Sequence, residues 1–84
     1  MDTLTRLNIL FDVYGKLLTK RQKEVFTLYY QENLSLKEIS ELLGITRQGV
    51  HEPLKRATNS LEDYEKKLGM AEKALEEAEE QDGI

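Results

Sequence analysis

The 84-residue chain has no cysteine and no tryptophan, a single histidine, His51, and a single proline, Pro53. Without cysteine there is no disulfide framework, and one imidazole cannot build a His/Cys zinc site. No cofactor or metal is therefore expected. Long apolar runs are missing too: nothing approaches the roughly 18 residues of a membrane span, and the N-terminus lacks the basic-then-apolar layout of a signal peptide. The expectation is a cytoplasmic protein held together by packing, as one small domain with little room for a deep catalytic cleft. Nucleophile chemistry lacks parts, because Ser35, Ser40 and Ser60 have only His51 as a base. No glycine-rich loop follows a strand. The chain reads as a non-enzyme with no catalytic residue.

The formal charge is -4, unevenly distributed. Residues 1–70 carry 11 Lys and Arg against 10 Asp and Glu, whereas residues 71–84 carry one Lys against six acids. A near-neutral body thus precedes an acidic C-terminal extension or tail, and the division into 1–70 and 71–84 follows from it. The acidic end reads as a solvated face rather than a decoy for a basic partner.

Apolar residues at Leu4, Leu7, Leu10 or Phe11, Tyr14 and Leu17 or Leu18 recur in steps of three and four, which predicts a first helix. In "TKRQ", Thr19 and Gln22 have the spacing of a capping box, in which each side chain satisfies a free backbone N–H of the helix start. A second helix is expected over about Lys20 to Tyr30, burying Val25, Phe26 and Leu28 or Tyr29. Ser35 and Glu38 repeat the box before a short third helix, Leu36 to Leu43. Gly44 suits a left-handed helix end, and Thr46 caps a fourth helix only two residues after the third. Helices joined this tightly cross steeply, as in a helix-turn-helix. The expected fold is all-α, with four to five helices including this pair and a long C-terminal helix.

On the fourth helix Val50, Leu54, Ala57 and Leu61 mark the buried stripe. The opposite face carries Gln48, His51, Glu52, Lys55 and Asn59, flanked by Arg47 and Arg56. A helix-turn-helix presents the start of its second helix to a major groove. Arg47 suits guanine and Gln48 suits adenine. Thr46 and the first free N–H groups suit a phosphate, and His51 reads as an exposed polar contact. Glu52 repels phosphate, and Pro53 removes a donor and presses on the carbonyl of Gly49, so a bend rather than a break is expected there. A second basic cluster, Lys16, Lys20, Arg21 and Lys23, is a candidate for backbone contacts beside the reading helix.

Beyond the stripe, Leu61, Tyr64, Leu68, Ala71 and Leu75 continue at heptad-like spacing, with Gly69 inside the run. Two arrangements satisfy this seam. Its first part packs on the chain's own first helix while the alanine-rich remainder frays, or the seam recruits a partner helix or a second copy to form a homo-oligomer.

The order "LTKRQKEVFTLYY", "LSLKEISELLGITRQGV" and "LKRATNSLEDYEKKL" resembles region 4 of bacterial sigma factors. It is still more similar to the YlxM family of small helix-turn-helix proteins, over about residues 4–68. The specific parts are "RLNILFDVYGKLLT", the "LYY" pair and "TRQGV…LKR". This resemblance implies an all-helical, sigma-like fold and a role in the signal recognition particle pathway, with the particle's GTPase or its RNA as partner. Carried over position by position, the recognition-helix role falls on Arg47, Gln48, His51, Lys55 and Arg56. Pro53 stands where an aliphatic residue is usual. The other readings are a DNA-binding transcriptional regulator, dimeric to gain enough contact, and a helical protein-interaction module.

Overall fold

A computed structural model describes the backbone of residues 1–82 and the side chains of residues 1–79. Five α-helices and no strand are present among the described residues: α1 (Thr3–Tyr14), α2 (Lys20–Phe26), α3 (Leu36–Leu43), α4 (Arg47–Leu68) and α5 (Met70–Asp82). The fold is all-α, as the apolar periodicity predicts.

Each of the first four helices opens on a side-chain cap. Asp2 accepts from the Thr5 N–H, both capping boxes form at Thr19/Gln22 and Ser35/Glu38, and Thr46 accepts from the Gly49 N–H at 3.0 Å. A cap of this kind contributes about 1 kcal/mol, enough to fix where short helices such as α2 and α3 begin.

The helix ends depart from the periodic reading in two places. The first helix stops at Tyr14 and passes into a 3-10 turn, Gly15–Leu17, so Leu18 is buried while Leu17 is exposed. Leu4, placed on the apolar stripe by spacing, is half exposed. The second helix widens after Phe26 into a π turn, Thr27–Gln31, closed by the Glu32 N–H on the Thr27 carbonyl at 2.9 Å. Asn33 follows at φ 62°, and the Leu34 N–H bonds back to the Leu28 carbonyl. A left-handed asparagine here closes the helix as glycine does elsewhere.

Helix α4 is the spine. Its Val50 and Leu54 pack with Val25 of α2 and Ile39 of α3. One and two turns further on, Ala57 and Leu61 pack with Leu7, Leu10 and Tyr14 of α1 and with Phe26. The buried stripe therefore meets two clusters along one helix face. Phe11 and Phe26 stack face to face at 4.5 Å between α1 and α2. On the rim, Arg6 grips Glu62 through two bonds of 2.8 Å. Both side chains remain nearly half exposed, so this pair adds less than about 1 kcal/mol.

The expected C-terminal continuation is split. Gly69, at φ 63°, ends α4, its N–H bonding to the Glu65 carbonyl at 2.8 Å. Helix α5 starts one residue later and docks only its beginning, with Ala71 buried against α1. The heptad-like line is thus not one continuous stripe. Leu61 and Ala71 turn inward and Tyr64 packs beside them, while Leu68 and Leu75 lie on the exposed side. A left-handed residue rotates the following helix out of register, which pure spacing does not reveal. Residues 83 and 84 of the acidic extension lie outside the described residues.

Candidate nucleic-acid interface

The turn between α3 and α4 is built from three residues. Gly44 sits at φ 68° and ψ 34°, where a Cβ meets no neighbour but is disfavoured by backbone conformation. The Gly44 and Ile45 N–H groups both bond to the Ser40 carbonyl, and the buried Ser40 hydroxyl donates to the Lys37 carbonyl at 2.7 Å. Ile45 packs toward Val50 and Ile39 as the plug between the helices. Thr46 then starts α4, its hydroxyl accepting from the Gly49 N–H while the Arg47 and Gln48 N–H groups have no partner within the helix.

Thr46, Arg47, Gln48, His51, Lys55 and Arg56 are all exposed. Helix α4 runs through Pro53 without a break, Pro53 itself being half-buried between Glu52 and the buried Leu54. Three of the outward residues are tied together. The Gln48 amide donates to Glu52 at 3.1 Å, and the Arg56 guanidinium lies 3.7 Å from the other oxygen of the same carboxylate. Glu52 is therefore clasped from both sides at i−4 and i+4, and its charge is partly neutralised within the helix. His51 and Lys55, one turn apart, border a different feature, a cleft of about 250 Å³ shared with Tyr29 and Tyr30.

The second basic cluster lies around the 3-10 turn and the start of α2. Lys16, Lys20 and Arg21 are exposed and Lys23 is half-buried. Arg21 reaches Glu24 at 3.5 Å.

Spacing places Tyr14 on the apolar stripe of the first helix but does not reveal what its hydroxyl meets, and it does not single out Glu65. The Tyr14 phenol donates to Glu65 Oε1 at 2.6 Å and accepts from the Met70 N–H at 3.0 Å. Glu65 accepts from the Ala71 and Glu72 N–H groups, each at 3.0 Å. Burial raises the Glu65 carboxyl, but the Tyr14 hydroxyl and the two N–H groups outweigh it and hold the group below its ordinary value. The same burial, with Glu65 alongside, pushes the Tyr14 phenol up. No local spacing reveals this arrangement, since Tyr14 is 51 residues from Glu65.

A capped short helix, a left-handed glycine turn and an outward polar helix start define a helix-turn-helix protein. The model of the family described as "Putative helix-turn-helix protein, YlxM / p13 like" (UPF0122) matches residues 1–83, and the chain belongs to this family. A UPF0122 protein of Caldanaerobacter subterraneus is 52% identical over 75 residues, covering 89% of this chain and 64% of the relative. A UPF0122 protein of Desulforamulus reducens is 49% identical over 78 residues, or 93% of this chain and 67% of the relative. The UPF0122 protein of Clostridium novyi is 46% identical over 76 residues. The chain spans about two thirds of the length of these curated relatives. No helix among the described residues is long and apolar enough to cross a membrane.

Proposed function

We propose that this chain binds nucleic acid through the outward face of α4 and acts in the cytoplasm as a regulatory, accessory factor of protein targeting by the signal recognition particle. The single observation that carries the binding reading is the exposed set Thr46, Arg47, Gln48, His51, Lys55 and Arg56, projecting from a helix whose opposite face is fully packed. Arg47 and Gln48 contact bases, Lys55 and Arg56 contact phosphates, and Thr46 with the free N–H groups of the first turn takes the nearest phosphate. Lys16, Lys20, Arg21 and Lys23 extend the contact along the backbone of the nucleic acid. The pathway assignment rests on the YlxM-like family alone, with the particle's RNA or GTPase as partner.

One observation favours a second reading, a sigma-like DNA-binding regulator: the Gly44 turn and the Thr46 cap leave the N-terminal turn of α4 free, as major-groove insertion requires. Side-by-side titration against duplex DNA, the particle's RNA and the particle's GTPase across a range of salt separates the two. The targeting reading expects binding to the RNA or the GTPase at physiological salt. Binding to neither, with sequence-selective binding to duplex DNA, replaces it with the regulator.

A further inference from the structure

Between α4 and the π turn lies the cleft that His51 and Lys55 border. Its walls are Tyr29, Tyr30, Leu36 and Thr58, with the buried Leu54 at its floor. The two sides differ in kind. The α4 side supplies an imidazole and an ammonium, both exposed. The opposite side supplies two consecutive tyrosines, edge to face with centroids 4.9 Å apart and planes at 84°.

Consecutive residues of a regular helix point 100° apart. Here the helix widens, and both rings reach one cleft. The π turn that closes from Thr27 to Glu32 is this local widening, a departure that commonly accompanies functional sites. Behind the pair, Phe26 packs on Tyr30 at 4.8 Å and is itself stacked on Phe11. Tyr30 is thus braced from the core, and Tyr29 rests edge to face against it. A tyrosine keeps its proton at neutral pH and burial raises the Tyr30 phenol further, so it remains a donor. Among the described residues no carboxylate lines the cleft.

The combination is apolar and aromatic within, hydroxyl-bearing on its walls and cationic at the rim, and it opens on the same face of the molecule as the candidate interface. These are the elements that accept a base released from its stack: an aromatic surface for the ring, donors for its edge and a cation for the adjoining phosphate. A paired duplex keeps its bases stacked inside and offers none to such a cleft. Resting on the nucleic-acid reading above, we infer that the cleft between the π turn and α4 is a pocket for one unpaired nucleobase, with Lys55 and His51 holding its flanking phosphate. The base is the ligand; structured RNA and single-stranded DNA are its two sources.

The test places 2-aminopurine as a single-nucleotide bulge in an RNA hairpin and compares it with the fully paired hairpin and with a single-stranded DNA bearing the same base, using the full chain. The expected result is binding of the bulged hairpin about tenfold tighter than the paired one, the scale of one stacked base, with a change in 2-aminopurine fluorescence on binding. Tyr29→Leu abolishes this preference and Tyr29→Phe retains it. Because Tyr29 also packs on the core, folding of each variant is checked by circular dichroism. His51→Ala, at an exposed position, independently reduces the preference several-fold. A fluorescence change with the single-stranded DNA as well assigns recognition to the base; a change with RNA alone adds a sugar contact, and both support the pocket. Equal binding of bulged and paired hairpins, unchanged by Tyr29→Leu and His51→Ala, removes the pocket and leaves the nucleic-acid reading standing. Binding of none of the three ligands removes the pocket and with it the RNA reading, leaving the GTPase and duplex-DNA outcomes to the titration above.

Discussion

Glu65 ends one helix with its backbone carbonyl and begins the next with its carboxylate, and Tyr14, from the far end of the chain, holds that carboxylate in place at 2.6 Å. The carboxylate meets the free N–H groups of Ala71 and Glu72, where a negative charge is favoured. Docking of α5 on the body thus depends on one hydrogen-bonded pair more than on apolar area, since of the first six residues of α5 only Ala71 is buried.

Removing the charge with Glu65→Gln, or the hydroxyl with Tyr14→Phe, is expected to release the start of α5 and leave the α2–α3–α4 core intact. Amide hydrogen exchange at Met70, Ala71 and Glu72 is the readout. Exchange there rises by about tenfold, equivalent to the loss of one net hydrogen bond, while Val50 and Leu54 stay protected.

Acid should weaken the protein from the same place. Glu65, Glu62, Glu38 and Asp2 all have folded-state pKa values below their ordinary ones, through the Tyr14 and backbone bonds, the Arg6 fork, the Glu38 bonds with Ser35, and the bonds that the capping Asp2 accepts from Thr5. A lowered folded pKa contributes stability that is present above the unfolded value, near 4.5 for Glu and 3.8 for Asp, and lost as pH falls through the folded value. Urea midpoints are expected to be level between about pH 6 and 8 and to fall steadily below about pH 4.5. In Glu65→Gln part of that acid sensitivity disappears.

Gly44→Ala tests the turn that aims α4. The added methyl meets no atom, so the whole cost is the left-handed backbone, about 1–2 kcal/mol. Thermal melting should show this loss without a change in helix content. Thr46→Ala is expected to cost about 1 kcal/mol by removing the cap.

Glu52→Gln addresses the reading face. Removing this carboxylate takes away a repulsion toward phosphate and frees Arg56 from its 3.7 Å pairing. Affinity for any polyanion should rise severalfold at low salt, and the gain should shrink as salt screens it.

What was legible in the sequence was local. Thr19 with Gln22, Ser35 with Glu38, Gly44 and Thr46 each act within three or four residues, so their chemistry set the starts of α2, α3 and α4 and the tight turn between the last two. The stripe Val50, Leu54, Ala57 and Leu61 likewise follows from one helix's own periodicity. The rest depends on partners distant in the chain. The first helix stops at Tyr14, whose hydroxyl bonds to Glu65 and Met70, and the heptad-like run from Leu61 breaks at Gly69, where the new helix is capped by a side chain of the old one. Of Leu17 and Leu18, either of which fits the stripe, the 3-10 turn buries Leu18. Leu68 and Leu75 fit the seam by spacing yet lie exposed, because the left-handed Gly69 resets the helix between them, and Leu4, at the start of α1, is half exposed. Of the candidate interface, the outward residues were readable from the helical wheel. The Tyr29–Tyr30 wall was not, because it needs the π turn to bring two neighbours into one cleft.

The most direct test of the α4 interface is the salt dependence of binding to an RNA hairpin for the wild-type chain and for Arg47→Ala, Lys55→Ala and Arg56→Ala, followed from about 50 to 200 mM salt. The expected result is a linear fall of log affinity with log salt, a slope that decreases by about one for each phosphate-contacting cation removed, and weaker binding by Lys55→Ala to every sequence tried. Wild-type affinity and slope in all three variants would contradict the account and place any nucleic-acid contact elsewhere on the molecule.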